Sequence, residues 1–151
     1  MRNERYGVKI SRASMTFDFI SEGPKGAIPK RVEYRQIDNG SIFNLGFGDL
    51  NIETGEIDDR VVTDNNDSKK VLSTVASTVY TFIKKYPSAI IYAEGSNAVR
   101  TRLYRIGISN NLEELTEKFE VLGYLSNIGW TVFEKNTDYS AFYIKRKKLK
   151  K

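Results

Sequence analysis

One short segment in the middle of the chain combines the residue types that bind anions. Gly95, Ser96 and Asn97 follow an apolar run that is typical of a strand, and a predicted helix carrying Arg100 and Arg102 comes next. A helix that begins after a glycine presents free backbone N–H groups and the positive end of its dipole. Arginine adds paired donors for an oxyanion. The segment therefore predicts a site for phosphate, sulfate or carboxylate, and an ordinary capped helix is the alternative.

Histidine and cysteine are both absent from the chain. Their absence excludes disulfides, thiol nucleophiles, cysteine and histidine zinc sites, and catalysis by histidine. Proton transfer in an enzyme would therefore fall to carboxylates, lysine or tyrosine. The groups available to a small hydrolase or nuclease are Arg100, Arg102, Tyr104 and a carboxylate such as Glu94. The acidic segment 64–67 lacks the glycine and the distal glutamate of a calcium loop, so no metal or cofactor is predicted.

The positive charge is concentrated at the carboxyl end of the chain. The net charge is +5, and the last seven residues carry six positive charges, so residues 1–144 have a net charge of −1. A basic arm can bind phosphate groups, and a solvated run that aids solubility is the alternative. The candidate nucleic-acid contacts in this tail (145–151) are Lys145, Arg146, Lys147 and Lys148.

Aromatic and basic residues are interleaved in two places. Tyr139, Phe142 and Tyr143 lead into the basic tail, and Tyr34 lies between two arginines. Rings beside cations are typical of surfaces on which the bases of single-stranded nucleic acid stack. Phe142 and Tyr143 point to opposite faces of a strand, so at most one of them faces such a surface. Burial in the core is the alternative for most of these rings.

Hydrophobic patterning predicts a mixture of strands and helices. Alternating apolar residues in the first third predict strands, with a hairpin at 38–40, where Asn-Gly tolerates positive φ. Asp67 as N-cap and an apolar stripe predict a long amphipathic helix over residues 68–86. Shorter helices are predicted over 98–105 and 112–119. Further strands are predicted at about 57–62, 89–93, 121–125, 130–134 and 141–146.

Together these elements predict one α+β domain covering residues 1–151. The expected architecture is a mainly antiparallel, curved sheet with the long helix and the two shorter helices on one face. No stretch reaches the roughly 20 apolar residues of a membrane span, and the start lacks the apolar region of a signal peptide. We therefore expect a cytoplasmic protein with no membrane partner, and the sequence does not indicate its oligomeric state.

Four motifs together resemble a family of small uncharacterised bacterial proteins that carry a domain of unknown function. They are SEGPKG (21–26), NLGFGD (44–49), Asn66-Asp67 before the long helix, and GSNAVRTRLYR (95–105). The resemblance implies no activity, cofactor or catalytic residue. The motifs concentrate glycine, acids and arginine, so we expect them to share a surface. The residues expected around the anion site are Glu22, Lys25, Asn44, Asp49, Asp67 and Tyr104.

Three functional hypotheses arise from the sequence. The first is a non-enzymatic module that binds a phosphate-bearing partner such as nucleic acid through segment 95–105 and the tail. The second is a hydrolase or nuclease, which requires Glu22, Asp49, Asp67 or Glu94 close to the arginines. The third is a protein–protein adaptor, which requires an exposed apolar patch or a large two-fold interface.

Overall fold

A computed structural model describes residues 3–58 and 63–148 of the chain. Within these ranges there are three helices, α1 (Ser68–Lys85), α2 (Ala98–Asn110) and α3 (Leu112–Lys118). The strands are β1 (Lys9–Ile10), β2 (Thr16–Gly23), β3 (Gly26–Gln36), β4 (Ile42–Asn51), β5 (Glu56–Ile57), β6 (Ile90–Ala93), β7 (Phe119–Leu125), β8 (Gly129–Val132) and β9 (Ala141–Arg146).

All the described strands belong to one open sheet. Its order is β1-β2-β3-β4-β6-β9-β7-β8, and β5 pairs with the end of β4. Neighbours are antiparallel except for β4 and β6, which run parallel because α1 connects them as a crossover helix. The predicted α+β class with a mainly antiparallel sheet is confirmed.

The core lies between the helices and one face of the sheet. Phe17 and Phe19 alternate along β2 and are buried, as the period-two pattern predicts. Tyr34 on β3 stacks on Phe82 of α1 with ring centroids 4.0 Å apart. The opposite face of the sheet carries no helix in the described part of the chain, so its side chains form a solvent-facing surface, called here the open face.

Two local predictions need correction. The hairpin between β3 and β4 forms where the sequence predicts it, but neither Asn39 nor Gly40 has the positive φ on which that prediction rested. Instead the Asp38 carboxylate accepts a hydrogen bond from the Gly40 N–H at 2.8 Å. The predicted strand at 57–62 is represented by β5 alone, and residues 59–62 lie outside the described residues.

The buried hydroxyl of Tyr34 makes stability sensitive to alkaline pH. Burial raises the pKa of Tyr34 above its ordinary value of 10.0, and the hydrogen bond to Thr78 opposes this only in part. The folded-state pKa is therefore higher than the unfolded one, so the stabilisation is complete below pH 10.0 and declines as the pH rises above it. Urea unfolding between about pH 9 and 11 should show this decline.

The matched variant is Tyr34→Phe, which keeps the ring and its stacking on Phe82. It should cost about 1 kcal/mol at neutral pH through the lost hydrogen bond to Thr78. Its free energy of unfolding should fall less steeply above pH 10.0 than that of the unchanged chain. If the free energy of unfolding fell equally steeply with pH in the two proteins, ionisation of Tyr34 would not be the cause of the alkaline loss of stability.

Candidate functional site

The strand-to-helix turn that the sequence predicts is present between β6 and α2. Asn97 has extended backbone and caps α2, because its side-chain oxygen accepts the Arg100 N–H at 2.9 Å. Gly95 packs against the first turn of the helix, where a Cβ atom would lie 2.2 Å from the Thr101 nitrogen. The glycine is thus required by this close approach.

The Arg100 side chain turns away from this cap and into the protein. It is 7% exposed, its Nη2 donates to the Phe47 carbonyl, and its Nη1 donates to the Asp58 carbonyl at 3.3 Å. One helical turn later, the Tyr104 hydroxyl donates to the Leu45 carbonyl at 3.4 Å. Both side chains therefore bind main-chain oxygens of β4.

These contacts fill a gap along the edge of β4. The strand pairs with β6 at residues 42–44 and with β5 at residues 50–51. Alternate carbonyls on a strand are about 6.8 Å apart. Residues four apart on a helix are about 6 Å apart along its axis, so Arg100 and Tyr104 match the carbonyls of Phe47 and Leu45. We call this pair of side chains the β4 edge clamp.

Arg102 and Arg105 point elsewhere. A separation of two residues turns a helix by about 200°, so Arg102 faces the side opposite to Arg100. Arg102 is exposed, and Arg105 forms an ion pair with Asp138 at 2.6 Å. The structure therefore does not bring Arg100 and Arg102 together, and anion binding at Gly95, Ser96 and Asn97 stays a prediction.

Three of the predicted cleft residues, Glu22, Lys25 and Asp67, lie instead around the β2–β3 turn, and Asp49 lies farther along the sheet, opposite Lys30. Asn65 is 1% exposed, its side-chain oxygen accepts the Lys25 N–H at 2.7 Å, and its amide donates to the Gly26 carbonyl at 2.8 Å. The Asp67 carboxylate accepts the Ser21 hydroxyl at 2.6 Å. The SEGPKG turn and the segment before α1 are thus joined by partly buried hydrogen bonds.

Tyr6 and Lys30 lie beside these residues. We call the whole group the polar cluster, and its members are Tyr6, Ser21, Glu22, Lys25, Lys30, Asp49, Asn65 and Asp67. The Tyr6 hydroxyl donates to Asp67 at 2.6 Å and accepts the Glu22 N–H at 3.1 Å. Burial, followed by the hydrogen bond to Asp67, raises the pKa of Tyr6. Lys30 is 1% exposed and binds Asp49 at 2.6 Å. The cluster therefore holds the acids Asp49 and Asp67 next to tyrosine and lysine rather than arginine.

The motifs thus occupy three separate places. Glu22, Lys25, Asp49 and Asp67 lie at the polar cluster, Arg100 and Tyr104 at the β4 edge, and Asn44 on the open face. Within residues 3–58 and 63–148, neither Arg100 nor Arg102 forms an ion pair with any of the four acids that the hydrolase hypothesis requires. The described residues contain no group of three or more potential ligands placed to hold a metal ion.

Four aromatic rings meet on the open face of the sheet. Trp130 on β8 lies next to the rings of Tyr143, Tyr124 and Tyr92, with centroid distances of 4.7, 5.3 and 6.2 Å. Neighbouring strands are about 4.8 Å apart, so β8 is about 14 Å from β6, and the Trp130 and Tyr92 side chains must lean toward each other over the strands between them. Ala141 lies in this path and is 3% exposed. We call these four rings the aromatic platform.

Charged groups border the aromatic platform. The Lys145 ammonium lies 5.9 Å from the Tyr143 ring centroid and 3.4 Å from the Glu120 carboxylate. The Tyr92 hydroxyl donates to Glu94. Burial, together with this hydrogen bond, raises the pKa of Tyr92 to about 12, so the ring is uncharged at neutral pH.

The basic tail continues from β9. Lys145 and Arg146 are the last two residues of β9. The next residue, Lys147, donates its N–H to the Lys118 carbonyl at 3.0 Å. Arg146, Lys147 and Lys148 are exposed, and residues 149–151 lie outside the described residues. The first part of the predicted tail is therefore held in the sheet, beside the aromatic platform.

A family model described as a family of unknown function, DUF6934, matches residues 2–147. The chain belongs to this family. The DUF6934 match spans all the described strands and helices, and it confirms the expected membership of a family of unknown function. No curated protein and no solved structure matches the chain. None of the described helices is long and apolar enough to cross a membrane.

The aromatic platform is the part of this DUF6934 chain that sequence reasoning located least well. Of the rings predicted to form a stacking surface, Tyr143 is on the open face, whereas Tyr34, Tyr139 and Phe142 are buried. The Tyr139 ring packs against Gly123, where a Cβ atom would lie 2.4 Å from it. Alternation along β9 separates Phe142 from Tyr143, but only the strand order brings Trp130 to them.

Proposed function

We propose that the chain binds single-stranded nucleic acid on the open face of β6, β9, β7 and β8. The observation that carries the proposal is the aromatic platform, whose central ring, Trp130, is 40% exposed. Base–aromatic stacking tolerates every base because each has a π face. The helices support the other face of the sheet, so the rings are held in place before a ligand arrives.

Charge next to the aromatic platform supports a polyanionic ligand. Lys145, Arg146, Lys147 and Lys148 follow directly from the platform strand β9, and residues 145–151 carry six of the chain's positive charges. The neighbouring acid Glu120 is already paired with Lys145, and Glu94 accepts the Tyr92 hydroxyl. Phosphates that follow bases across the rings would therefore meet the exposed Lys147 and Lys148 first, because Lys145 is shared with Glu120 and Arg146 alternates onto the other face of β9.

A protein partner is the second candidate, because exposed apolar side chains flank Trp130. Ile128 is 72% exposed and Val132 is 74% exposed. The two candidates differ in their response to salt. Nucleic-acid binding weakens steeply as salt rises because phosphate neutralisation releases counterions, whereas an apolar protein contact is much less sensitive.

The test is fluorescence anisotropy with labelled single-stranded RNA and DNA of about 12 nucleotides, and with a duplex of the same sequence. Single strands should bind more tightly than the duplex, because paired bases cannot reach the rings. The affinity should fall by at least about tenfold between 50 and 200 mM salt. Absence of binding, or binding that salt does not weaken, would contradict the proposal.

Charge reversal in the tail tests its contribution. The salt slope is the slope of the logarithm of the association constant against the logarithm of the salt concentration. The double variant Lys147→Glu and Lys148→Glu should reduce the size of this slope by up to about 1.4, because each phosphate contact to a single strand contributes about 0.7. The matched control is Lys69→Glu with Lys84→Glu, which changes two exposed lysines of α1 on the other side of the sheet. If both double variants reduced the salt slope equally, binding would depend only on the net charge of the protein, and the tail would not contact the nucleic acid.

A further inference from the structure

The sheet ends at β8, whose outer edge pairs with no other strand in the described part of the chain. Edge strands usually carry charged side chains or proline, which prevent pairing with another chain. Segment 128–132 contains neither, and Ile128 and Val132 are 72% and 74% exposed. At the other end of the sheet, β1 is only two residues long and contains Lys9. The β8 edge is therefore the one of the two that is open to a further strand.

The pairing of β8 with β7 shows which main-chain groups face outward. The Phe133 N–H donates to the Val121 carbonyl at 3.0 Å. Hydrogen bonds of an antiparallel pair involve alternate residues, so Thr131 also directs its main-chain groups toward β7. Trp130 and Val132 therefore direct their N–H and C=O groups away from the sheet, and the outer edge presents two donors and two acceptors.

One of these acceptors has a partial partner already. The Val132 carbonyl accepts the Tyr139 hydroxyl at 3.3 Å, which is a long hydrogen bond. A carbonyl oxygen has two lone pairs, so it can accept a second hydrogen bond from an N–H. All four outward groups of Trp130 and Val132 can therefore bind another strand.

The four groups are complementary to the same four groups of a second copy. If a two-fold axis passes beside Thr131, Trp130 of each copy lies opposite Val132 of the other in an antiparallel register. The main-chain N–H of Trp130 then meets the Val132 carbonyl of the second copy, and the Val132 N–H meets the Trp130 carbonyl. The symmetry doubles these bonds to four. A shift by two residues would leave half of the outward groups of β8 unpaired within the strand.

The side chains fit the same register. Cross-strand neighbours lie on one face of a sheet, so Trp130 of one copy would pack against Val132 of the other on the open face. These side chains are 40% and 74% exposed, and their contact removes apolar surface from water. Beyond the strand, Glu134 would face Ile128 of the second copy, so the register opposes no like charges there.

We propose that the partner of the β8 edge is a second copy of this chain, paired about a two-fold axis beside Thr131. The two sheets become continuous, and their open faces form one surface with two aromatic platforms. The pairing needs no nucleic acid, so it does not depend on the proposed function. A four-residue edge makes a small interface, so we expect a Kd of about 0.1 mM. At low micromolar concentrations the chain is then monomeric in titrations with nucleic acid.

Sedimentation equilibrium of the full chain, without nucleic acid, measures this association. Between about 10 μM and about 1 mM protein, at about 150 mM salt, the chain should show a monomer–dimer equilibrium with the Kd given above. A chain that remains monomeric at the highest concentration would overturn the proposal.

Charged residues at position 131 test the position of the two-fold axis. Thr131→Lys and Thr131→Glu each place like charges opposite one another, so each variant alone should dimerise about threefold more weakly than the unchanged chain. An equimolar mixture of the two places lysine opposite glutamate and should dimerise about tenfold more tightly than either variant alone. The matched control is the pair Thr54→Lys and Thr54→Glu, at an exposed residue in the β4–β5 turn, for which mixing should give no gain.

The gain on mixing cannot result from misfolding, so it tests the proposal even if the Thr131 variants are less stable than the unchanged chain. No gain for the Thr131 pair, or an equal gain for the Thr54 pair, would show that the copies do not meet at β8 in this register. Because nucleic acid is absent from these experiments, their failure leaves the proposed function of the aromatic platform unaffected.

Discussion

Replacing Trp130 with alanine is expected to weaken binding of single-stranded nucleic acid by about thirtyfold. Stacking of one base on an aromatic side chain contributes about 1–3 kcal/mol, and about 1.4 kcal/mol corresponds to a factor of ten. Trp130 also contacts the other three rings, so its loss removes both a stacking surface and the support for Tyr143 and Tyr92. The measurement is fluorescence anisotropy at fixed salt.

Two further variants make this result specific. Trp130→Phe keeps an aromatic face and should lose less than about fivefold. Val132→Ala changes an apolar residue on the same strand and the same face, 74% exposed, and should bind as the unchanged chain does. If Val132→Ala lost as much affinity as Trp130→Ala, the apolar surface rather than stacking would be responsible. The circular dichroism spectrum and unfolding midpoint of each variant check that it folds.

Replacing Arg100 with methionine is expected to lower the free energy of unfolding by about 3 kcal/mol. The variant keeps much of the apolar stem but leaves the carbonyls of Phe47 and Asp58 without their charged donor. Hydrogen bonds to charged groups contribute about 1.5–3 kcal/mol, and a buried acceptor left without a partner adds its desolvation cost. Tyr104→Phe removes a neutral and longer bond, so it should cost about 1 kcal/mol. Urea unfolding measures both.

The Arg100 variant also separates the two interpretations of the arginine motif. The β4 edge clamp predicts that the loss of stability is the same with and without added phosphate. A role for Arg100 in holding an anion predicts that phosphate stabilises the unchanged chain and not Arg100→Met, since a ligand of the folded state raises its stability. A loss of stability well below about 1 kcal/mol would show that the β4 edge does not need the clamp.

Interactions between residues close together in the sequence were enough to predict most of the helices and strands. The apolar stripe, the terminal lysines and Pro87 locate α1 to within one residue of its end, and Gly95 with Asn97 locates the turn before α2. These features depend on side chains within a few positions of one another. The extension of α2 to Asn110 was not predicted, because Asn111 was interpreted only as the start of α3. In the structure Asn111 also ends α2, and its side-chain amide donates to the Gly107 carbonyl at 2.8 Å.

The candidate sites depended on strand order, which local patterns do not encode. Lys30 meets Asp49 because β3 and β4 are paired in that register, and Asn65 meets Lys25 across 40 positions. Trp130 on β8 comes within reach of Tyr92 on β6 only because the strand order β6-β9-β7-β8 places both strands in the same part of the sheet. One signal was available in the sequence: the four-residue spacing of Arg100 and Tyr104 places them on one side of a helix, with Arg102 on the other.

Trp130 is the sole tryptophan of the chain, so its fluorescence reports directly on the aromatic platform. The decisive measurement is its emission during titration with single-stranded oligonucleotide and, separately, with duplex of the same sequence. A base that stacks on the ring should quench the emission in a saturable manner with the same Kd as the anisotropy titration, and the duplex should quench much less. Anisotropy that rises while Trp130 emission stays unchanged would show that nucleic acid binds elsewhere, and would contradict the proposed function.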